Sequence, residues 1–164
     1  MKRIQAAHFK GIINKLSAGE VILLSGTIYS ARDAALNLLE KEKVFPKFLN
    51  GSIIFHAGPT EVNNKGFLSC GPTTSSRMDR YLEMLFENDV LATVGKGERD
   101  ILVHKKFRRI YLTAIGGCGA IYGRKITELK SVMYEKLGSE SIFKMKIEHF
   151  PLIVAIDVKG NSIY

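Results

Sequence analysis

Cysteine is scarce in this 164-residue chain, which has two, Cys70 and Cys118. They form no CxxC pair, and two thiols cannot by themselves hold a metal or an iron–sulfur cluster. The expectation is a pair of small buried thiols with no disulfide. Long apolar runs are missing as well. None approaches the ~20 residues that a membrane helix needs, and the opening MKRIQAAHFKGIINKL has neither an apolar signal region nor a small-residue cleavage site. No membrane association and a cytoplasmic location are therefore expected. There is no low-complexity tract, internal repeat or Pro/Ser-rich linker, so residues 1–164 are expected to form one domain.

Several motifs are absent too. Gly95-Lys96-Gly97 lacks the GxxxxGK[ST] frame and Gly116-Gly117-Cys118-Gly119 lacks GxGxxG, so nucleotide binding is weakly supported. No nucleophile elbow precedes a Ser–His–Asp order. Acidic residues number 16 against 24 Lys and Arg, a net charge of +8. That surplus suits nucleic acid, an anionic small substrate or an acidic partner. The basic residues are dispersed, however, and no RNP-like, KH-like or zinc-finger pattern accompanies them. The densest run, His104 to Arg109, reads as the solvated end of a helix. A basic nucleic-acid module stays open as an alternative, and salt-steep DNA binding would identify it. A hydrophobic content of 46% with 24% charged residues is ordinary for a globular domain.

Val21-Ile22-Leu23-Leu24 reads as a buried strand. Ala31 to Glu42 follows with Ala31, Ala34, Ala35, Leu38 and Leu39 at helical spacing, Ser30 or Thr27 serving as cap. Residues 52–56, 90–94 and 110–114 read as further strands, 67–70 as a short one and 100–108 as a helix. Beyond Glu128 the chain looks β-rich, with alternation over 143–147, an apolar run at 152–157 and a turn at Gly160-Asn161. Strands alternating with helices and then giving way to strands predict an α/β domain with a mixed sheet.

Residues 71–81, GPTTSSRMDRY, are the most informative stretch. Met78, Tyr81, Leu82 and Leu85 fall at i, i+3, i+4 and i+7, one face of an amphipathic helix, and Ser76 with Asp79 fits a capping box. One cap needs one hydroxyl, yet Thr73, Thr74, Ser75 and Ser76 supply four, followed by Arg77. A hydroxyl-rich turn at a helix start suits a carboxylate or a phosphate. Arg32, Arg77 and Lys96 each stand near a predicted strand end, and together they would suit a small dianion. Taken singly, Arg32 reads as a surface pair with Asp33, Arg77 as a pair with Asp79, and Lys96 as a loop lysine. Among the four histidines, His56 beside Gly58-Pro59 is a candidate for lining a site, whereas His8, His104 and His149 read as surface or packing residues.

The stretches LSGTIYSARDAA (24–35), HAGPT (56–60), GPTTSSRMDRY (71–81), VGKG (94–97), AIGGCGA (114–120) and FPLIVAIDVKGN (150–161) run in order along nearly the whole chain. They resemble the β subunit, or C-terminal domain, of class I iron–sulfur hydro-lyases, which comprise class I fumarase and L(+)-tartrate dehydratase. GPTTSxRMD with GTIYxARD is the specific part; VGKG alone would be weak.

The resemblance implies a swivelling β/β/α three-layer domain that closes over a 4Fe–4S cluster carried by a partner α subunit. It implies reversible hydration of fumarate to L-malate, or alternatively dehydration of L(+)-tartrate to oxaloacetate, in an α2β2-type assembly containing a homodimer of this chain. It places substrate-binding roles on Arg32, Thr73, Thr74, Arg77 and Lys96, with Thr73 as the group that moves the C3 proton. Cys70 and Cys118 do not match cluster ligands, so this chain is expected to bind no cluster itself and to be inactive alone. A catalytically silent scaffold is the remaining alternative.

Overall fold

A computed structural model describes residues 1–60 and 68–164. The chain opens with β1 (Lys2–Gln5), passes through a 3-10 turn into α1 (Phe9–Ile12), and enters β2 (Val21–Ser30). There follow α2 (Asp33–Glu42), β3 (Ile53–Phe55) and a 3-10 stretch, Ser75–Tyr81, that runs into α3 (Leu82–Glu87). Next are β4 (Ala92–Gly95), α4 (Ile101–Phe107) and β5 (Ile110–Thr113). The last part comprises α5 (Gly119–Gly123), β6 (Ile126–Met133), a 3-10 stretch at Glu135–Glu140 and β7 (Ile142–Ile156). No helix among the described residues is long and apolar enough to cross a membrane.

The strand order is β1-β2-β3-β4-β5-β7-β6, with β1 to β5 parallel neighbours and β7 antiparallel to β5, β6 and β2. Because β7 also pairs with β2, strands β2, β3, β4, β5 and β7 close into a five-stranded ring. The expected α/β class and mixed sheet are present. The expected three layers are corrected in one respect: the sheet closes on itself instead of lying open as a middle layer. Strand length is the cause. One edge of β2 serves β1 at Ile22–Ser25 and β3 at Tyr29–Ser30, which leaves its other edge free for β7 from Val21 to Ser30.

The two tail strands expected at 143–147 and 152–157 are one strand. Pro151 between them lacks an amide donor, which reads as a break in sequence. The pairing is irregular opposite Leu24 and Gly26, and there Ser25 Oγ accepts the His149 amide at 2.9 Å. The Tyr122 hydroxyl donates to the Pro151 carbonyl at 3.2 Å, so the backbone groups around the proline keep partners.

Alternation along the strands divides the core. Ile53 and Phe55 join Ile22, Leu24, Ile28, Val94, Leu112 and Phe150 in one cluster. Ile54, between them in sequence, points the other way and joins Leu36, Leu39, Met78, Leu82, Leu85 and Phe86 beneath the helices. Helix α2 buries Ala35, Leu36 and Leu39, so Leu36 stands on the core face where Leu38 was expected. The helix begins at Asp33 after Arg32, with no side-chain cap bond; Ser30 Oγ instead accepts the Phe143 amide. The expected strand at 67–70 begins at Phe67, outside the described residues, and Leu68 to Cys70 carry no strand.

Candidate functional site at the rim of the ring

The parallel strands β2, β3 and β4 end on the same rim, where open parallel sheets commonly bind ligands. Their exits are laced together by backbone hydrogen bonds. The Ala31 amide donates to Phe55 O at 3.1 Å, and the Thr73 amide to His56 O at 2.7 Å. The Lys96 amide donates to Thr73 O at 3.2 Å and the Ser75 amide to Lys96 O at 2.9 Å, so Thr74 and Lys96 form a parallel bridge. The loop of the hydroxyl cluster is thus stitched to the exits of both β3 and β4.

Arg32 and Arg77 each hold a carboxylate, though neither holds the expected one. Arg32 Nη2 stands 3.1 Å from Glu140 Oε1. Arg77 Nη2 donates to Asp33 Oδ2 at 3.0 Å, which brings the Arg77 head beside the neighbour of Arg32. The expected pairs Arg32–Asp33 and Arg77–Asp79 are therefore corrected. Arg32 Nε is buried with no hydrogen-bond partner among the described residues. A Cβ on Gly58 would stand 2.9 Å from Arg32 Nη1 and 3.0 Å from the Ser139 carbonyl, so the guanidinium needs a glycine beside it. A cleft of about 660 Å³ opens here, lined by Gly58, Pro59, Thr60, Ser131, Ser139 and Phe143 among others. Lys96 lies with its Cδ 3.4 Å from where a Gly116 Cβ would be, and its ammonium has no ion pair among the described residues. Thr73 is half-buried and Thr74 exposed, and among the described residues neither hydroxyl is engaged.

The expected capping box does not form. The 3-10 stretch has Thr74 at its start with no side-chain cap bond, Ser76 is exposed, and Asp79 is taken elsewhere. Met78, Tyr81, Leu82 and Leu85 are all buried, as their spacing requires. A Cβ on Gly95 would overlap Ser75 Oγ, so the loop sits directly on the end of β4.

Beneath the rim lies a buried polar network that sequence reasoning missed. Arg99, with no exposed side-chain surface, donates from Nε to Asp79 Oδ1 at 2.9 Å. Its Nη1 is 2.7 Å from His56 Nε2, and its head lies 5.7 Å from the centre of the Tyr111 ring. The Tyr111 hydroxyl donates to Gly97 O at 2.8 Å and lies 2.9 Å from Ser75 Oγ, whose own proton closes that contact. His56 Nδ1 is 2.9 Å from Ala31 O. His56 is fully buried, so it supports the rim from below instead of lining a site. Burial, with the Arg99 charge beside it, holds His56 well below the ordinary histidine range. Burial likewise raises the Asp79 carboxyl, which Arg99 partly offsets, and pushes the Tyr111 hydroxyl up to about 12. The missed signal was weak: Arg99-Asp100 reads as a charged pair at a helix start.

Among the described residues the donor set for a metal is poor. Both cysteines are free, Cys70 buried and Cys118 half-buried. Burial pushes the Cys70 thiol up to about 12, and a metal ligand must be a thiolate. Among the described residues no group of three or more His, Cys, Asp or Glu side chains converges. These residues do not fit an iron–sulfur cluster.

Comparison with known proteins adds the following. A family model described as Fumarase C-terminus matches residues 2–164. The chain is 37% identical to a Methanocaldococcus jannaschii protein provisionally described as L(+)-tartrate dehydratase subunit beta, covering 93% of this chain and 85% of that one. It is 34% identical to the L(+)-tartrate dehydratase subunit beta of Escherichia coli strain K12, covering 99% of this chain and 87% of that one. It is also 31% identical to fumarate hydratase 2 of Leishmania major, where 93% of this chain matches 28% of a longer protein.

Proposed function

We propose that this chain, which belongs to the fumarase C-terminus family, is the β subunit of a hydro-lyase that adds water to, or removes it from, a small dicarboxylate. Residues 1–164 act as one swivelling domain that closes on a partner α subunit in an α2β2-type cytoplasmic assembly. The observation that carries the reading is the gathering of Arg32, Thr73, Thr74, Arg77 and Lys96 around one rim, laced together through Thr73 and Lys96. The 4Fe–4S cluster, a Lewis acid toward the substrate hydroxyl and carboxylate, belongs to the partner, since Cys70 and Cys118 do not suit it.

This chain's own work is binding and charge placement. Arg32 and Arg77 grip carboxylate oxygens already, those of Glu140 and Asp33, and in the complex they take the substrate's carboxylates in the same way. Holding both ends of the diacid fixes the carbon that must lose its proton. Removing a C3 proton builds negative charge on the adjoining carboxylate, and the Arg and Lys heads stabilise it there. The Thr73 hydroxyl moves that proton. It is a weak base, so its alkoxide needs a cation beside it in the closed complex, a role for which Lys96, whose backbone is bonded to Thr73 O, is the candidate.

Fumarate with L-malate and L(+)-tartrate with oxaloacetate are both substrates the reading admits. Tartrate gains support from relatives named as separate β subunits and covered over most of their length, and fumarate from the Leishmania relative. Steady-state assays of the complex reconstituted with its α subunit, on malate, fumarate and both tartrate enantiomers, test the proposal. Turnover of one of them, lost more than about a hundredfold in Arg77→Ala, is expected from the removal of one charge-assisted contact. Turnover untouched by that substitution would leave the chain a scaffold.

A further inference from the structure

We propose that His56 and Arg99 are positioning residues that set the mutual register of the substrate-binding loops, an inference that rests on the function proposed above. Arginine only donates, so at 2.7 Å from Arg99 Nη1 the Nε2 atom of His56 must be the acceptor. The ring proton is then on Nδ1, which donates to Ala31 O at 2.9 Å. The imidazole is therefore neutral and of one tautomer, assigned by its partners.

Each end of this chain of bonds meets a substrate loop. Ala31 immediately precedes Arg32. Asp79, which accepts from Arg99 Nε, follows Arg77 by two residues. Arg99 follows Lys96 by three residues, and the carbonyl of His56 accepts the Thr73 amide. The buried imidazole and the buried guanidinium, together with the His56 carbonyl and the short run from Lys96 to Arg99, thus tie together the three segments that carry the proposed site residues. Tyr111, stacked on Arg99, adds a second tie through Ser75 and Gly97.

Stability alone does not account for the arrangement. A buried charge facing a single carboxylate, with Arg99 Nη2 unpartnered among the described residues, is no more stabilising than an apolar filling of the same volume. Directional bonds, by contrast, fix geometry that apolar packing leaves loose.

The test uses the reconstituted α/β complex and two substitutions that split the histidine's bonds. Asn places its amide nitrogen where Nδ1 was and keeps the bond to Ala31 O; Gln reaches the Nε2 position and keeps only the Arg99 contact. His56→Gln is expected to raise KM for the dicarboxylate about tenfold with kcat changed less than about threefold, and to weaken binding of the unreactive diacid succinate in parallel by calorimetry. His56→Asn is expected to bring KM back to within about threefold of wild type. In an Arg32→Ala background, His56→Gln is expected to add less than threefold, because its effect passes through Arg32. Arg99→Lys, which keeps the charge but loses the fork, serves as the second variant and is expected to raise KM likewise. KM and succinate affinity unchanged in His56→Gln and Arg99→Lys, or a full additional loss in the Arg32→Ala background, overturns the inference while the function stands. A wild-type complex that turns over no dicarboxylate overturns both.

Discussion

A guanidinium with no exposed side-chain surface, such as that of Arg99, depends on the few groups that face it. Asp79 is its carboxylate partner, so Asp79→Ala strands a buried cation. The expected loss is about 3–5 kcal/mol in urea unfolding of the isolated chain, well above what breaking an exposed, solvent-screened pair such as Lys106–Glu83 does. His104 makes the stability of the fold depend on pH. It donates from Nδ1 to Asp100 O, lies between Phe86 and Tyr111, and leaves Nε2 buried without a partner among the described residues. Burial pushes it down from the ordinary 6.5 to about 3. A folded value below the unfolded one means that the unfolded chain takes the proton first as pH falls. The contribution is therefore intact above about pH 6.5 and drains away toward pH 3. Between about pH 7.5 and 5.5 the wild type should lose about 1.4 kcal/mol more stability than His104→Asn. Parallel curves for the two proteins would show that His104 does not bind a proton on unfolding.

Among the elements, the junctions between strand and loop set the tolerances. Gly95 ends β4 with Ser75 Oγ in the space of its missing side chain. Gly95→Ala must push that hydroxyl away from Tyr111, with an expected cost of about 1–3 kcal/mol in denaturant midpoint. The 3-10 stretch Glu135–Glu140 holds Arg32 through Glu140. Glu140→Gln removes the competing charge, and KM for the dicarboxylate should fall about threefold to tenfold with kcat little changed, since the lost contact opposes binding only. An unchanged KM would mean that Glu140 and substrate do not contend for the same guanidinium. Local pattern made many of these elements legible: the apolar run at Val21, the helix after Arg32 and the spacing of Met78, Tyr81, Leu82 and Leu85 all appear in the fold. It failed where partners distant in sequence decide. Nothing near Asp79 announces Arg99, nothing near Arg32 announces Glu140, and Pro151 looks like a break until Ser25 and Tyr122 satisfy the backbone around it. The candidate site residues were legible through their types and their resemblance to a family; the network below them was not, because a lone arginine and a lone histidine carry no periodicity.

For the whole molecule, the net charge of +8 is spread over a surface on which many basic side chains are tied to local acids. Lys2, Lys10, Arg80, Lys106 and Lys146 each reach an acidic side chain. DNA binding by the purified chain is accordingly expected to be absent near physiological salt, measured by fluorescence anisotropy. The ring has a further consequence. Its seam joins Val21 to Ile153 and Ser30 to Phe143, positions separated by most of the polypeptide. During synthesis on the ribosome, β2 emerges before β7 and waits with one edge unmatched until the strands and helices between them have been translated. Closure is then a late, long-range event of the kind that folds slowly, and nascent chains stalled before β7 are natural clients for chaperones.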